Sequence, residues 1–194
     1  MTLISLVRHG QTDWNLERRI QGATDIPLND TGRADARAAA EALAAGRHDA
    51  VYTSPLIRAQ ETAQIIAARL SLPEPAITRG LREREFGVAE GIGVSDYLAR
   101  YGDWQSEVPG AETLDEVRDR ALDSLERIAR AARRRSAPAA ESIVVVTHGG
   151  VIRALLMHVS GGTLPREGEP IRNGSVHRFV AERSTLRFLE PIVG

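Results

Sequence analysis

The sequence contains no cysteine and no lysine. Without cysteine there is no disulfide, no thiolate metal site and no cysteine nucleophile. Without lysine there is neither a Schiff-base amine nor the lysine of a P-loop nucleotide site. All 25 basic residues are therefore arginine, and any cationic site has to be built from guanidinium forks or protonated histidine. Such forks match phosphate and carboxylate geometrically. Long apolar runs are missing as well. The first, "LISLV" at residues 3–7, is too short for a signal-peptide core or a membrane span, so the expectation is a cytoplasmic protein with no membrane partner. A formal net charge of −1 gives no electrostatic reason for nucleic-acid binding.

At 194 residues the chain is expected to form one domain over 1–194, able to bury roughly 70% of the surface that its unfolded form exposes. Short β-branched runs at 2–7 ("TLISLV"), 49–53 ("DAVYT") and 142–147 ("SIVVVT") read as strands covered on both faces. Helical patterns lie between them. Asn29 or Asp30 can cap a helix running to about Ala45, and Gly46 follows where a C-terminal glycine belongs. Ser54 and Pro55 read as an N-cap and first helical residue opening "LIRAQETAQIIAARL". Thr113 and Glu116 form a capping box. After it, Leu114, Val117, Ala121, Leu125, Ile128 and Ala132 make one apolar stripe. Arg133, Arg134 and Arg135 read as a solvated helix end, with a basic patch for nucleic acid as the alternative. A helix "VIRALLMHV" and two strands near 175–181 and 185–190 finish the chain, and those strands offer a candidate homodimer edge. The pattern predicts a three-layer α/β/α sandwich with a mostly parallel central sheet. Residues 81–112, rich in glycine and poor in periodicity, read as a loop excursion above the sheet.

Two histidines share a setting. His9 follows one predicted strand and precedes Gly10; His148 follows another and precedes Gly149 and Gly150. In open α/β sheets ligands bind outside the carboxyl ends of the strands, which brings both histidines to one crevice. Arg8 adjoins His9, and Arg58 stands in the first turns of the helix after "TSP". Buried arginines need an anion. Two arginines with two histidines suit a phosphoryl group: forks for its oxygens and an imidazole placed to attack. The plainer alternatives are core histidines, an Arg58–Glu61 surface ion pair and an Asn15 that only caps a short helix.

"LVRHGQTDWN" (6–15), "GATDIPLNDTG" (22–32), "YTSPLIRAQETA" (52–63), "LREREFGVAEG" (81–91), "PGAETLDEV" (109–117) and "VVTHGGVIRALL" (145–156) together resemble the histidine phosphatase superfamily, the phosphoglycerate-mutase-like fold. The resemblance implies that His9 is the nucleophile, forming a phosphohistidine. It implies that Arg8, Arg58 and His148 bind the phosphoryl oxygens with help from Asn15. Gln21 would line the substrate side, and Gly149 would contribute backbone. By chemistry alone Glu83, Glu85 and Glu90 are all open as the proton donor; the resemblance selects Glu83, with Glu90 shaping the loop. Glu112 reads as a helix-dipole partner. No metal and no cofactor is required, because arginines stand in for magnesium. Many relatives carry a tryptophan where this chain has Ala89, which predicts an opened or reshaped pocket wall. Mutases of the family grip a second anion with adjacent arginines, whereas here only Arg84 and Arg100 are available. The expected activity is therefore hydrolysis of a phosphomonoester of a small metabolite. Phosphoglycerate mutase activity, and a non-catalytic phospholigand-binding protein, are the alternatives.

Overall fold

A computed structural model describes residues 1–136, 139–166, 168–182 and 185–192. Its strands are β1 (Thr2–Arg8), β2 (Ala50–Thr53), β3 (Ala76–Ile77), β4 (Ser142–Thr147), β5 (Val176–Glu182) and β6 (Thr185–Ile192). They form one sheet in the order β3-β2-β4-β1-β5-β6. The first four in that order run parallel, and the β5–β6 hairpin extends the sheet antiparallel from β1. The helices are α1 (Asp13–Leu16), α2 (Asp30–Ala44), α3 (Ile57–Arg69), α4 (Val94–Tyr101), α5 (Leu114–Ser136) and α6 (Gly149–Val159).

Side-chain alternation sorts the apolar runs between two cores. Ile4 and Leu6 of β1, with Ile143 and Val145 of β4, pack under α5 and α6. Val7, Val144 and Val146 face the other way, under α2 and α3. The strands read as unbroken apolar runs because helices cover both faces, giving the α/β/α sandwich that the pattern predicts. Alanines such as Ala40, Ala59 and Ala63, all fully buried, let α2 and α3 approach each other and the sheet closely. The α5 stripe is buried from Val117 to Ala132, behind the Thr113–Glu116 capping box.

Three differences from the sequence reading bear on the site. Helix α3 starts at Ile57, with Leu56 as its N-cap and no side-chain cap bond. Ser54 is therefore not the cap. Residues 81–112 are not a bare loop, since they contain a short 3₁₀ turn at Gly87–Ala89 and α4. Phe86, Ala89, Tyr97 and Val108 pack there with Ile20 into a third small core. Tyr97 and Trp104 stack with centroids 5.0 Å apart. Strand β3 was missed because both its residues are exposed at the sheet edge. At the end of α5, Arg135 is paired with Glu141 at 2.8 Å.

Strand register delivers the site. Arg8 is level with Thr147 in the parallel β1–β4 pair, so the next residues, His9 and His148, emerge side by side. The Ser54 amide bonds the Val146 carbonyl at 3.1 Å, which brings the end of β2 to the same level. The turn after His9 then presses on α2: a Cβ on Gly32 would lie 2.0 Å from the Gln11 carbonyl oxygen. Gly32→Ala has to move one backbone against the other. We expect it to lower stability by about 1–3 kcal/mol in urea denaturation, and a neutral result would mean that this contact is slack.

Candidate active site

Arg8, His9, Asn15, Gln21, Arg58, Glu83 and Gly149 all line one cavity of about 680 Å³. His148 stands behind its floor, fully buried, with its ring centroid 5.1 Å from that of His9. The histidines are thus neither remote from each other nor isolated in the core, and the two arginines flank them as the sequence reading expects.

The His9 amide donates to the Thr147 carbonyl at 3.0 Å. Its ring Nδ1 lies 2.7 Å from the Gly10 carbonyl oxygen, which can only accept. The proton is therefore on Nδ1 and the lone pair on Nε2. The turn is tied to α3 through the Gly10 amide, which donates to the Thr62 hydroxyl at 3.1 Å. His148 Nε2 meets the Ser54 hydroxyl at 2.7 Å. Burial lowers both histidines well below the ordinary value, and the Arg58 charge lowers them further. Both rings are neutral at physiological pH.

Arg58 has no exposed surface and does not pair with Glu61, which bonds Arg33 instead. Its two terminal nitrogens donate to the Thr24 and Gly22 carbonyls, each at 2.8 Å. Burial pulls it down to about 10, so it stays a cation at neutral pH. Arg8 donates through Nη1 to the Ile171 carbonyl. Around His9, three buried nitrogens make no hydrogen bond to the described residues: Arg8 Nε, Arg58 Nε and His148 Nδ1. A buried polar group left unmatched is costly, so a cluster of them marks where an acceptor binds.

Glu83 Oε1 accepts from the Arg84 amide at 2.9 Å and Oε2 from the Gly150 amide at 3.2 Å, in the first turn of α6. Glycine at position 150 lets the carboxylate sit in this place, since a Cβ there would come within 2.5 Å of it and displace it. Gly149 leaves room for Arg8, whose Nε would be 3.3 Å from a Cβ there. Asn15 does belong to a capping box, but as its third residue, with Thr12 as the cap. Its Oδ1 accepts from the Thr12 amide and from Asn173, leaving Nδ2 to offer to the cavity. Gln21 is similarly held by its Oε1, which accepts from the Thr12 hydroxyl at 3.0 Å.

Several expectations are corrected. Ala89 does not open the cavity wall; it is fully buried, and Phe86, Val94, Leu98 and Trp104 form that wall instead. Arg84 lines the cavity, but its guanidinium donates to the Glu112 and Trp104 carbonyls. Arg100 does not line the cavity. Glu112 is no helix-dipole partner; its carboxylate pairs with Arg82 and Arg120. Glu90 shapes the loop as expected, accepting the Ala23 and Thr24 amides at 2.9 and 3.0 Å. Asn173 was missed: it lines the cavity and donates to the His9 carbonyl at 3.0 Å. Its "RNGS" context carries only a turn signal. Arg153, on α6, also lines the cavity and was read only as part of that helix. His48, His158 and His177 lie outside the cavity lining.

Residues 4–191 match a family described as the histidine phosphatase superfamily (branch 1). A Bacillus subtilis protein named uncharacterized phosphatase PhoE is 41% identical over 162 residues, covering 84% of this chain and 79% of its own. A 2,3-bisphosphoglycerate-dependent phosphoglycerate mutase 2 of Gloeobacter violaceus is 37% identical over 174 residues, covering 82% and 76%. Among solved structures, a mycobacterial glucosyl-3-phosphoglycerate phosphatase in complex with VO3 superposes with a TM-score of 0.84. It is 25% identical, with 98% of this chain and 97% of that one covered.

The two neutral buried histidines make stability depend on pH. Their folded values lie below the unfolded value of 6.5, so between the two the unfolded chain binds more protons. Stability contributed by the neutral rings is complete above pH 6.5 and is lost as pH falls below it. The expected slope is about 1.4 kcal/mol per pH unit for each histidine. Denaturation of wild type and His148→Asn across this range should show a shallower slope in the variant. An identical slope would mean that His148 is already charged in the native state.

Proposed function

Because this chain belongs to the histidine phosphatase superfamily, we propose that it hydrolyses the phosphomonoester of a small metabolite through a phosphohistidine at His9, with no metal. The observation that carries the reading is the set of three buried, unmatched nitrogens on Arg8, Arg58 and His148, gathered around a neutral His9.

The His9 Nε2 lone pair attacks phosphorus opposite the ester oxygen. The N–P bond forms as the P–O bond breaks, and the leaving oxygen takes the Glu83 carboxyl proton. The Nδ1–H keeps donating to the Gly10 carbonyl, which stabilises the charge that develops on the ring. Arg8 and Arg58 supply their Nε donors to the transferring oxygens, the role that positioned cations play in phosphoryl transfer. The Leu56 amide donates to the Ser54 hydroxyl at 3.3 Å, which frees the hydroxyl proton for His148 Nε2. The His148 proton then sits on Nδ1, as a further donor to the phosphoryl group. In the second half, the Glu83 carboxylate takes a proton from water as its oxygen attacks phosphorus. The N–P bond breaks, its electron pair returns to Nε2, and inorganic phosphate departs. Both residues are restored. Asn15, Gln21 and the Gly149 backbone hold the phosphoryl group and its ester on the cavity side.

The mutase reading uses the same residues but returns the phosphoryl group to an organic hydroxyl, and the 37% identical relative speaks for it. Against it stands Arg84, whose donors face backbone carbonyls rather than a second anion. Phosphorus NMR decides between them, using chelator-treated protein, 3-phosphoglycerate and a trace of 2,3-bisphosphoglycerate. Steady growth of inorganic phosphate is expected. Growth of 2-phosphoglycerate without phosphate release would establish the mutase instead. His9→Ala should keep the fold by circular dichroism and lose turnover on the order of 10⁴-fold or more. Full activity in that variant would exclude the phosphohistidine.

A further inference from the structure

Glu83 is held by more than the two amides on its carboxylate, and the second hold comes from outside the cavity. Arg120, on α5, does not line the cavity, yet all five of its N–H donors are engaged around the turn that carries Glu83. Nη1 donates to the Gly80 and Arg82 carbonyls at 2.8 and 2.7 Å. Nη2 donates to the Glu83 carbonyl at 3.0 Å and to Glu112 Oε2 at 2.8 Å, and Nε donates to Glu112 Oε1 at 2.7 Å. The same guanidinium thus grips peptide carbonyls up to and including that of Glu83. Gly80 lets the turn lie flat on α5, since a Cβ there would come within 2.0 Å of the Ser124 hydroxyl.

Glu112 completes the hold from the segment just before α5. Its carboxylate also accepts from Arg82 at 3.0 Å and from the Glu85 amide at 3.1 Å. Its own amide donates to the Glu85 carbonyl at 2.9 Å, and its carbonyl accepts from Arg84 Nε at 2.7 Å. Burial pushes the Glu112 carboxyl up, but the Arg120 hydrogen bond and the Glu85 amide outweigh it and hold the group below the usual carboxylate range. It stays an anion, so the pair is intact at neutral pH. Both side chains are largely covered, with 15% and 13% of their surface exposed, and are little screened by solvent.

We propose that Arg120, with Glu112 as its counter-ion, is the positioning residue that aims Glu83 at the departing oxygen. The proposal rests on the reading of Glu83 as the proton donor. Arg120 fixes the Glu83 main chain relative to α5. Helix α5 packs on the sheet through Val117, Ala121 and Leu125, and the sheet carries His9. The carboxyl is thereby referenced to the nucleophile through rigid elements rather than through the mobile end of a loop. Lysine cannot replace the fork, because three donors on one point cannot reach three carbonyls and both carboxylate oxygens.

The test separates positioning from mere stability by the leaving group. An aryl ester such as 4-nitrophenyl phosphate departs as a phenolate and needs no proton, whereas an alkyl ester such as glycerol 3-phosphate does. Turnover of both is measured for wild type, Glu83→Gln, Arg120→Lys and Glu112→Gln, with orthovanadate inhibition reporting on the phosphoryl site. Glu83→Gln should widen the aryl-to-alkyl ratio on the order of 10²-fold. Arg120→Lys should widen it about 10-fold, since small misplacement of a reacting group is costly, with vanadate inhibition unchanged. Glu112→Gln, isosteric and less disruptive, carries the same expectation if Arg120→Lys fails to fold. If these two variants slow both esters in proportion, or neither, while Glu83→Gln widens the ratio, the positioning role is wrong. If Glu83→Gln itself leaves the ratio unchanged, the reading of Glu83 falls, and this inference falls with it.

Discussion

A fully buried guanidinium that is hydrogen-bonded to backbone carbonyls rather than to a carboxylate is the constraint around which this site is arranged. An unpaired charge in a protein interior is severely costly unless dipoles or a counter-ion meet it. Arg58 meets two backbone carbonyls, those of Gly22 and Thr24. For both to point inward, the amides of the same short segment have to be satisfied elsewhere. Glu90 accepts those of Ala23 and Thr24 from the opposite side. Gly22 makes the bend, with φ of 56°, and any Cβ there would collide with the Glu90 carboxylate at 2.1 Å. A cation on one side and an anion on the other thus hold a strip of peptide between them, and neither approaches the other. Arg58 keeps its full charge for a ligand.

That charge also prepares the nucleophile. After burial, Arg58 is the largest influence keeping both His9 and His148 unprotonated. A histidine in the field of two cations is neutral, and a neutral imidazole with its Nδ1 proton held by Gly10 is a nucleophile at Nε2. Under the proposed function, the groups that attract a phosphoryl dianion are therefore also the ones that hold the attacking ring in its neutral form.

Most of the framework was legible in the sequence, because it depends on local rules. The parallel strands, the Asn29 cap and the Thr113–Glu116 box all follow from periodicity and capping chemistry. The positions of Arg8, His9 and His148 at strand ends, and of Arg58 in the first turn of α3, were legible for the same reason. What escaped depends on distant pairing. Ser54 before Pro55 looks like a helix cap, and only the register of β2 against β4 shows its hydroxyl on His148 instead. Asn173 looks like a turn residue until β5 returns beside β1. Helix α4 carries an apolar stripe of Val94, Tyr97, Leu98 and Tyr101, but it is only eight residues long and packs on the small aromatic core of its own segment rather than on the sheet. Arg120 reads as a polar position of a surface helix, and nothing local reveals the three carbonyls that it reaches.

Arginine serves two ends in this lysine-free chain, and the donors left over tell them apart. Arg120 has none left, and Arg84 directs both Nε and Nη1 at carbonyls. These are connectors, joining backbone segments that no ladder joins. Arg8 and Arg58 are also anchored to carbonyls, but each keeps a buried Nε unmatched. Anchoring fixes where the guanidinium lies, and the remaining donor faces what the protein does not supply. A lysine cannot be divided in this way, since its three donors share one freely turning atom. The same criterion applies within the cavity lining. Among the described lining residues, Arg8 and Arg58 beside His9 combine anchored guanidinium groups with unmatched buried donors, whereas Arg84 in the wall directs Nε and Nη1 at carbonyls. Under the proposed function, the anchored donors of Arg8 and Arg58 are the ones that meet the transferred phosphoryl group.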